Sequence, residues 1–150
     1  MTGHGIPEAD RRRARIGDSA FDASYGLAFT AIGDGFAEAT VDAGAGLAQV
    51  TGVIHGGVYA SIAEAVASYG TNWGVSTRGE LGFGMSNSTN FLRPTLVPVR
   101  LLASGRALHQ GRTTWLWDVS ITADGAARPS AIARVTVAVR PDPTVGEDRS

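Results

Sequence analysis

Residues 52–70 read GVIHGGVYASIAEAVASYG, a run of small and apolar residues interrupted by one carboxylate, Glu64. From Gly57 to about Tyr69 the run is rich in alanine, free of proline and long enough for roughly three helical turns. At about 100° per residue, Val58, Ile62, Ala65, Val66, Tyr69 and Trp73 fall on one side. Ser61, Glu64, Ser68 and Thr71 form a narrow polar stripe opposite. A helix this apolar has to be covered, and the rest of the chain offers strands to cover it.

Those strands announce themselves from Gly26 onward as short alternating runs separated by turn residues: GLAFTAI, AEATVDA, GFGMSNSTNFLRP, VRLLASGRAL, TTWLWDVSIT and SAIARVTVAVRP. In TTWLWDVSIT, Trp115, Trp117, Val119 and Ile121 share one face, while Leu116, Asp118 and Ser120 share the other. The D-G of TADGAA turns the chain into the last strand. The expectation is an α+β fold, with an antiparallel sheet of five to six strands curled around one central helix. At 150 residues the chain is read as one domain, 26–141, with residues 1–25 an N-terminal arm and 142–150 a C-terminal tail.

Several function classes are set aside by what is missing. Cysteine is absent, which excludes disulfides, thiolate metal sites and cysteine nucleophiles. His4, His55 and His109 lack metal-ligand spacing, so no metal is expected. Gly82 and Gly84 in LGFGMS lack the third glycine and following helix of a dinucleotide loop, and there is no G-x-S-x-G nucleophile elbow. The cluster RRRAR at Arg11 to Arg15 reads as a solvated arm, because no continuous apolar core follows it as in an export signal. With a net charge of −1 and no run of about 20 apolar residues, neither nucleic acid nor a membrane is expected as a partner, and a cytoplasmic location is expected. The sequon at Asn87 carries little meaning without secretion.

Chemistry concentrates around the helix. Glu64 has no basic residue three or four positions away to pair with, so it is expected to line an interface or pocket rather than a solvated face. His55, Gly56 and Gly57 mark the helix start, where free backbone N–H groups and the positive dipole end favour developing negative charge. A glycine there lets a substrate carbonyl approach the Gly56 N–H, an oxyanion-polarising device whose loss costs about 2.7–4 kcal/mol in a transition state. His55 is read either as an orienting or acidic group or as a structural hydrogen-bonding residue. Gln49, just before the turn, is placed to bond a reacting carbonyl, and Arg93 and Arg112 stand at strand ends where a phosphate could reach them. Gly56 and Glu64 are about 12 Å apart along a helix, too far to act on one carbonyl. If both act on the same carbonyl, each comes from a different subunit.

Taken together, TGVIHGGVYASIAEAVAS, SNSTNFLRP and GRTTWLWDVSI resemble hotdog-fold acyl-CoA thioesterases of the PaaI-like group, and among these the Arthrobacter-type 4-hydroxybenzoyl-CoA thioesterases. The resemblance spans roughly Gly26 to Pro141. It implies Glu64 as nucleophile or general base, the Gly56 N–H as carbonyl polariser, Gln49 as a second carbonyl contact, Ser68 as a hydroxyl near the attack, and a supporting role for His55. It also maps CoA phosphate contacts onto Arg93, Arg112 and Thr113. Arg112 departs from the small hydroxyl residue of the pattern, and of the pattern's C-terminal arginines only Arg140 is matched. The acyl pocket is expected near Tyr59, Ser61, Ser68, Asn87, Thr89 and Phe91. The implied reaction is hydrolysis of an aromatic acyl-CoA with no cofactor, CoA being part of the substrate, in a homo-oligomer arranged as a dimer of dimers. Competing readings are hydrolysis of 1,4-dihydroxy-2-naphthoyl-CoA or another acyl-CoA, a hotdog dehydratase using His55, and a non-catalytic acyl-CoA sensor.

Overall fold

In β5 (Thr114–Ala123) the side chains of Trp115, Trp117, Val119 and Ile121 are all buried while Asp118 is exposed, which is the period-two pattern that the sequence predicts. The computed structural model describes residues 5–145, among which six strands form a single sheet. The ends of the expected arm and tail, 1–4 and 146–150, lie outside the described residues. The remaining strands are β1 (Ala28–Gly33), β2 (Phe36–Ala43), β3 (Glu80–Phe91), β4 (Val99–Gln110) and β6 (Ala131–Pro141). Every pairing is antiparallel, in the order β1-β2-β4-β5-β6-β3, so β3 is an edge strand that crosses over to pair with β6. The sheet wraps one long helix, α3 (Gly56–Val75), as expected.

The helix passes its expected end at Tyr69 because two polar residues find partners inside. Thr71, expected on the polar stripe, is instead fully buried: its Oγ1 donates to the Ala67 carbonyl at 2.8 Å and accepts from Trp117 Nε1 at 2.9 Å. Asn72 donates to the Ala14 carbonyl and accepts from the Gly82 N–H. A hydrophobicity pattern scores both as solvent-facing, whereas satisfied hydrogen bonds let them enter the core. The stripe that remains is Ser61, Glu64 and Ser68.

Close approach between helix and sheet depends on two glycines. A methyl at Gly70 would overlap the Trp117 indole, and one at Gly74 would overlap that of Trp115. Four helical residues rise about 6 Å and two strand residues about 6.8 Å, so the i, i+4 glycines on α3 meet the i, i+2 tryptophans on β5 in step. The two indoles stack with centroids 6.1 Å apart.

The N-terminal segment is not a free arm. It forms α1 (Glu8–Ala14) and α2 (Ala20–Ser24), with Ile6 and Ala14 buried and α1 packed on α3. Three of the arginines in RRRAR have partners: Arg12 pairs with Glu8 on the exposed face of α1, Arg13 lies 3.7 Å over the Trp73 ring, whose Nε1 donates to Asp10, and Arg15 pairs with Asp142. The far end of α3 projects an indole that the sheet leaves to be covered, and a guanidinium does this well. No helix among the described residues is long and apolar enough to cross a membrane, and no cluster of three or more His, Asp or Glu there could hold a metal.

Gly70→Ala is expected to lower stability by about 1–3 kcal/mol through overpacking against Trp117, although the same change on an exposed helix face adds about 1 kcal/mol. Denaturant unfolding at fixed protein concentration checks the sign.

Candidate functional site

The start of α3 is fixed by a capping histidine. His55 adopts an extended backbone, and its Nδ1 accepts from the Gly57 N–H at 2.9 Å. Nδ1 must therefore carry a lone pair, which places the imidazole hydrogen on Nε2. The preceding loop is tied down on both sides, the Ile54 N–H donating to the Thr95 carbonyl and the His55 N–H to the Leu47 carbonyl. With Gly57 capped, the Gly56 N–H has no hydrogen bond among the described residues and stands at the positive end of a 20-residue helix. His55 thus serves as the N-cap of α3.

Gly56 lies in a cavity of about 420 Å³ that also brings together Gln49, His55, Tyr59, Phe91 and Arg93, all of them residues singled out in the sequence. The Phe91 ring is 60% exposed and presses on Gly56, where a methyl would stand 2.7 Å from it. Tyr59 is 3% exposed, its ring tilted against Phe91, and its buried hydroxyl has no partner among the described residues. The Arg93 guanidinium donates to the Pro129 carbonyl at 2.7 Å.

Glu64 lies in a second cavity, of about 450 Å³, with Ser61 and Ser68. It is exposed and makes no hydrogen bond or ion pair among the described residues. Its carboxylate rests against Gly84 of β3, just before a register shift between Gly84 and Ser86. The Ser61 hydroxyl donates to the Gly57 carbonyl one turn back. Along one chain Gly56 and Glu64 themselves are separated by about 12 Å, the helical rise of eight residues.

Part of the Glu64 cavity is built by residues that the sequence reading passed over. Ser19, Phe21 and Asp22, on and before α2, line it together with Tyr69. Asp22 accepts on both oxygens, from Tyr25 and from Tyr69 at 2.8 Å each, and each oxygen keeps a second acceptor site. Both phenols are pushed well above the ordinary tyrosine value, first by burial and then by the bond to Asp22, so they remain protonated donors. Phe21 is 63% exposed and meets Tyr25 edge to face. The signal was FDASYG directly before the first strand, with Asp22 and Tyr25 one helical turn apart.

Four of the singled-out residues lie outside both cavities. Asn87 donates to the Ala60 carbonyl, and Thr89 donates to Asn87, so this pair ties β3 to α3. Arg112 and Thr113 occupy the β4–β5 turn, where the Thr113 carbonyl accepts from Val139 and Arg140. Thr114 is paired with Ala138 on β6, and Phe91 with Ala131, so this turn lies about 24 Å along the sheet from the Phe91 end, near Arg93.

Residues 51–129 match the family described as Thioesterase superfamily. Rv1847 of Mycobacterium tuberculosis is 39% identical over 106 residues, 69% of this chain and 75% of that protein. Its structure superposes with a TM-score of 0.76 at 35% identity, covering 82% of this chain and 98% of that one. A mutant of thioesterase PA1618 from Pseudomonas aeruginosa has a crystal structure with a TM-score of 0.79 at 29% identity, covering 94% and 99% of the two chains. A 1,4-dihydroxy-2-naphthoyl-CoA hydrolase of Listeria monocytogenes is 33% identical over 92 residues, 61% of this chain and 72% of that protein. The chain belongs to the thioesterase superfamily, has its hotdog fold, and is a thioester hydrolase.

Proposed function

We propose that the chain hydrolyses aryl-CoA thioesters of the 4-hydroxybenzoyl-CoA type at a site composed from two subunits, Gly56 from one and Glu64 from the other. The observation that carries this reading is the division of the machinery: an unbonded Gly56 N–H in one cavity and an unpaired Glu64 carboxylate in another. β3 is a 12-residue edge strand exposing Phe83, Met85 and Phe91, a surface that calls for a partner. Antiparallel pairing of two such edges carries the start of one strand, where Glu64 meets Gly84, toward the end of the other, where Phe91 covers Gly56. The same operation brings one subunit's Arg112 and Thr113 turn toward the other's Arg93, which suits CoA phosphates held by both. Two such dimers then associate as a dimer of dimers.

In the reaction the thioester oxygen faces the Gly56 N–H, with Gln49 as a second donor, so negative charge gathers at the helix start as the carbonyl carbon becomes tetrahedral. Glu64 either removes a proton from water as that water attacks, or attacks directly to form a mixed anhydride that water then opens. Ser68 orients the attacking group. The C–S bond breaks with its electron pair on sulfur, and the CoA thiolate takes up a proton from solvent. The exposed Phe21 ring and the Asp22–Tyr69 pair give the Glu64 cavity one flat apolar wall and one hydrogen-bonding wall, which suits an aromatic ring bearing a hydroxyl. A second reading, 1,4-dihydroxy-2-naphthoyl-CoA as substrate, is favoured by the Listeria relative's name. The Cys-free chain and the absence of a reacting thiol allow free-thiol release to be read directly.

Across a panel of 4-hydroxybenzoyl, dihydroxynaphthoyl, phenylacetyl and straight-chain CoA esters, thiol release is expected to be fastest for an aryl ester and to fall about 10²–10⁴-fold in Glu64→Ala. Equal release by that variant removes Glu64 from the chemistry, and binding without release by either protein favours the sensor. Mixing Glu64→Ala subunits with Gly56→Val subunits is expected to restore about a quarter of the sites, because half of the randomly mixed dimers regain one intact site. No recovery from demonstrably mixed dimers rejects the shared site.

A further inference from the structure

Glu64 is exposed and lacks any hydrogen bond or ion pair among the described residues, so its carboxylate is placed by packing. The surface it packs on is Gly84: a methyl there would overlap Oε1 and stand 3.1 Å from Cδ. We infer that Gly84 is a positioning residue, its missing side chain forming the seat into which the Glu64 carboxylate turns. The inference rests on Glu64 being the reacting carboxylate proposed above.

The glycine serves space rather than backbone conformation. Gly84 is not among the positive-φ glycines, so its backbone is open to any residue, and glycine inside a strand is otherwise unfavourable. Gly82, two residues earlier on the same face, shows the contrasting case. A methyl there would meet Val137 Cγ1 at 2.8 Å and Thr71 Cγ2 at 2.9 Å, both on buried residues that cannot yield. At Gly84 the atoms met are the end of an exposed, flexible side chain. Adding a methyl would leave the fold intact and move the carboxylate. A register shift follows directly, leaving Met85 without a partner on β6.

Gly84→Ala separates this role from a structural one. The expected result is an unchanged melting temperature and oligomeric state, unchanged KM, and kcat lowered about 10²-fold, as for an ångström-scale misplacement of a reacting group. The NMR shift of an isotopically labelled Glu64 carboxyl carbon should move. Glu64→Asp, which withdraws the carboxylate by one methylene, should cost less in the Gly84→Ala background than in the parent. An unaltered kcat with an unaltered carboxyl shift overturns the inference. So does a kcat loss that merely follows lost folding or assembly, or strict additivity of the two substitutions. Glu64→Ala in the same assay keeps the two proposals apart: if it turns over normally, the catalytic reading fails, while the carboxyl shift still reports whether Gly84 seats the side chain.

Discussion

Everything in this molecule hangs on how closely α3 can lie against the inner face of its sheet. The contact is made where Gly70 and Gly74 accept the edges of Trp117 and Trp115, and where Gly105 on β4 accepts Val66. Removing side chains on one surface and enlarging them on the other lets large rings fill the gap at the density of a protein interior. The indole N–H that this buries is satisfied by Thr71, which in turn bonds the helix backbone, so the contact leaves no polar orphan there. With that face of α3 committed, Ser61, Glu64 and Ser68 have only the opposite side left to occupy.

The same close approach governs the chemistry. A helix covered along its length presents its dipole at one end and its free side chains along one stripe, and these are different places. The Gly56 N–H at the first residue and the Glu64 carboxylate two turns later stand about 12 Å apart along the helix, too far to meet on one carbonyl within one chain. The long edge of β3, rich in exposed apolar side chains, gives the geometry by which a second copy could close the gap.

What the sequence made legible was whatever depends on periodicity and on missing side chains. Alternation in TTWLWDVSIT gave β5 its inward face, the alanine-rich run gave α3, and HGG gave the helix start. What stayed hidden depends on pairs of residues distant in the chain. Thr71 was read as solvent-facing because its partner is 46 positions away on β5. RRRAR was read as a charge run because Arg13 finds its ring 60 positions on, at Trp73. Asp22 was overlooked because a carboxylate in a short segment gains meaning only when Tyr25 and Tyr69 both donate to it. Asn87 and Thr89 carried amide and hydroxyl groups fit for a substrate, but they join β3 to the helix backbone.

β3 therefore combines tasks that a residue-by-residue reading keeps apart. Gly82 lets it close over Thr71 and Val137, Asn87 fastens it to α3, and Phe91 packs on the glycine that opens the helix. Its other edge carries no strand among the described residues. A strand fastened on one side by this many contacts is stiff, and a stiff edge is what a composite site requires. If the groups that polarise and attack a carbonyl come from different chains, their separation is set by the strands between them, and an error of an ångström there costs as much as a lost side chain.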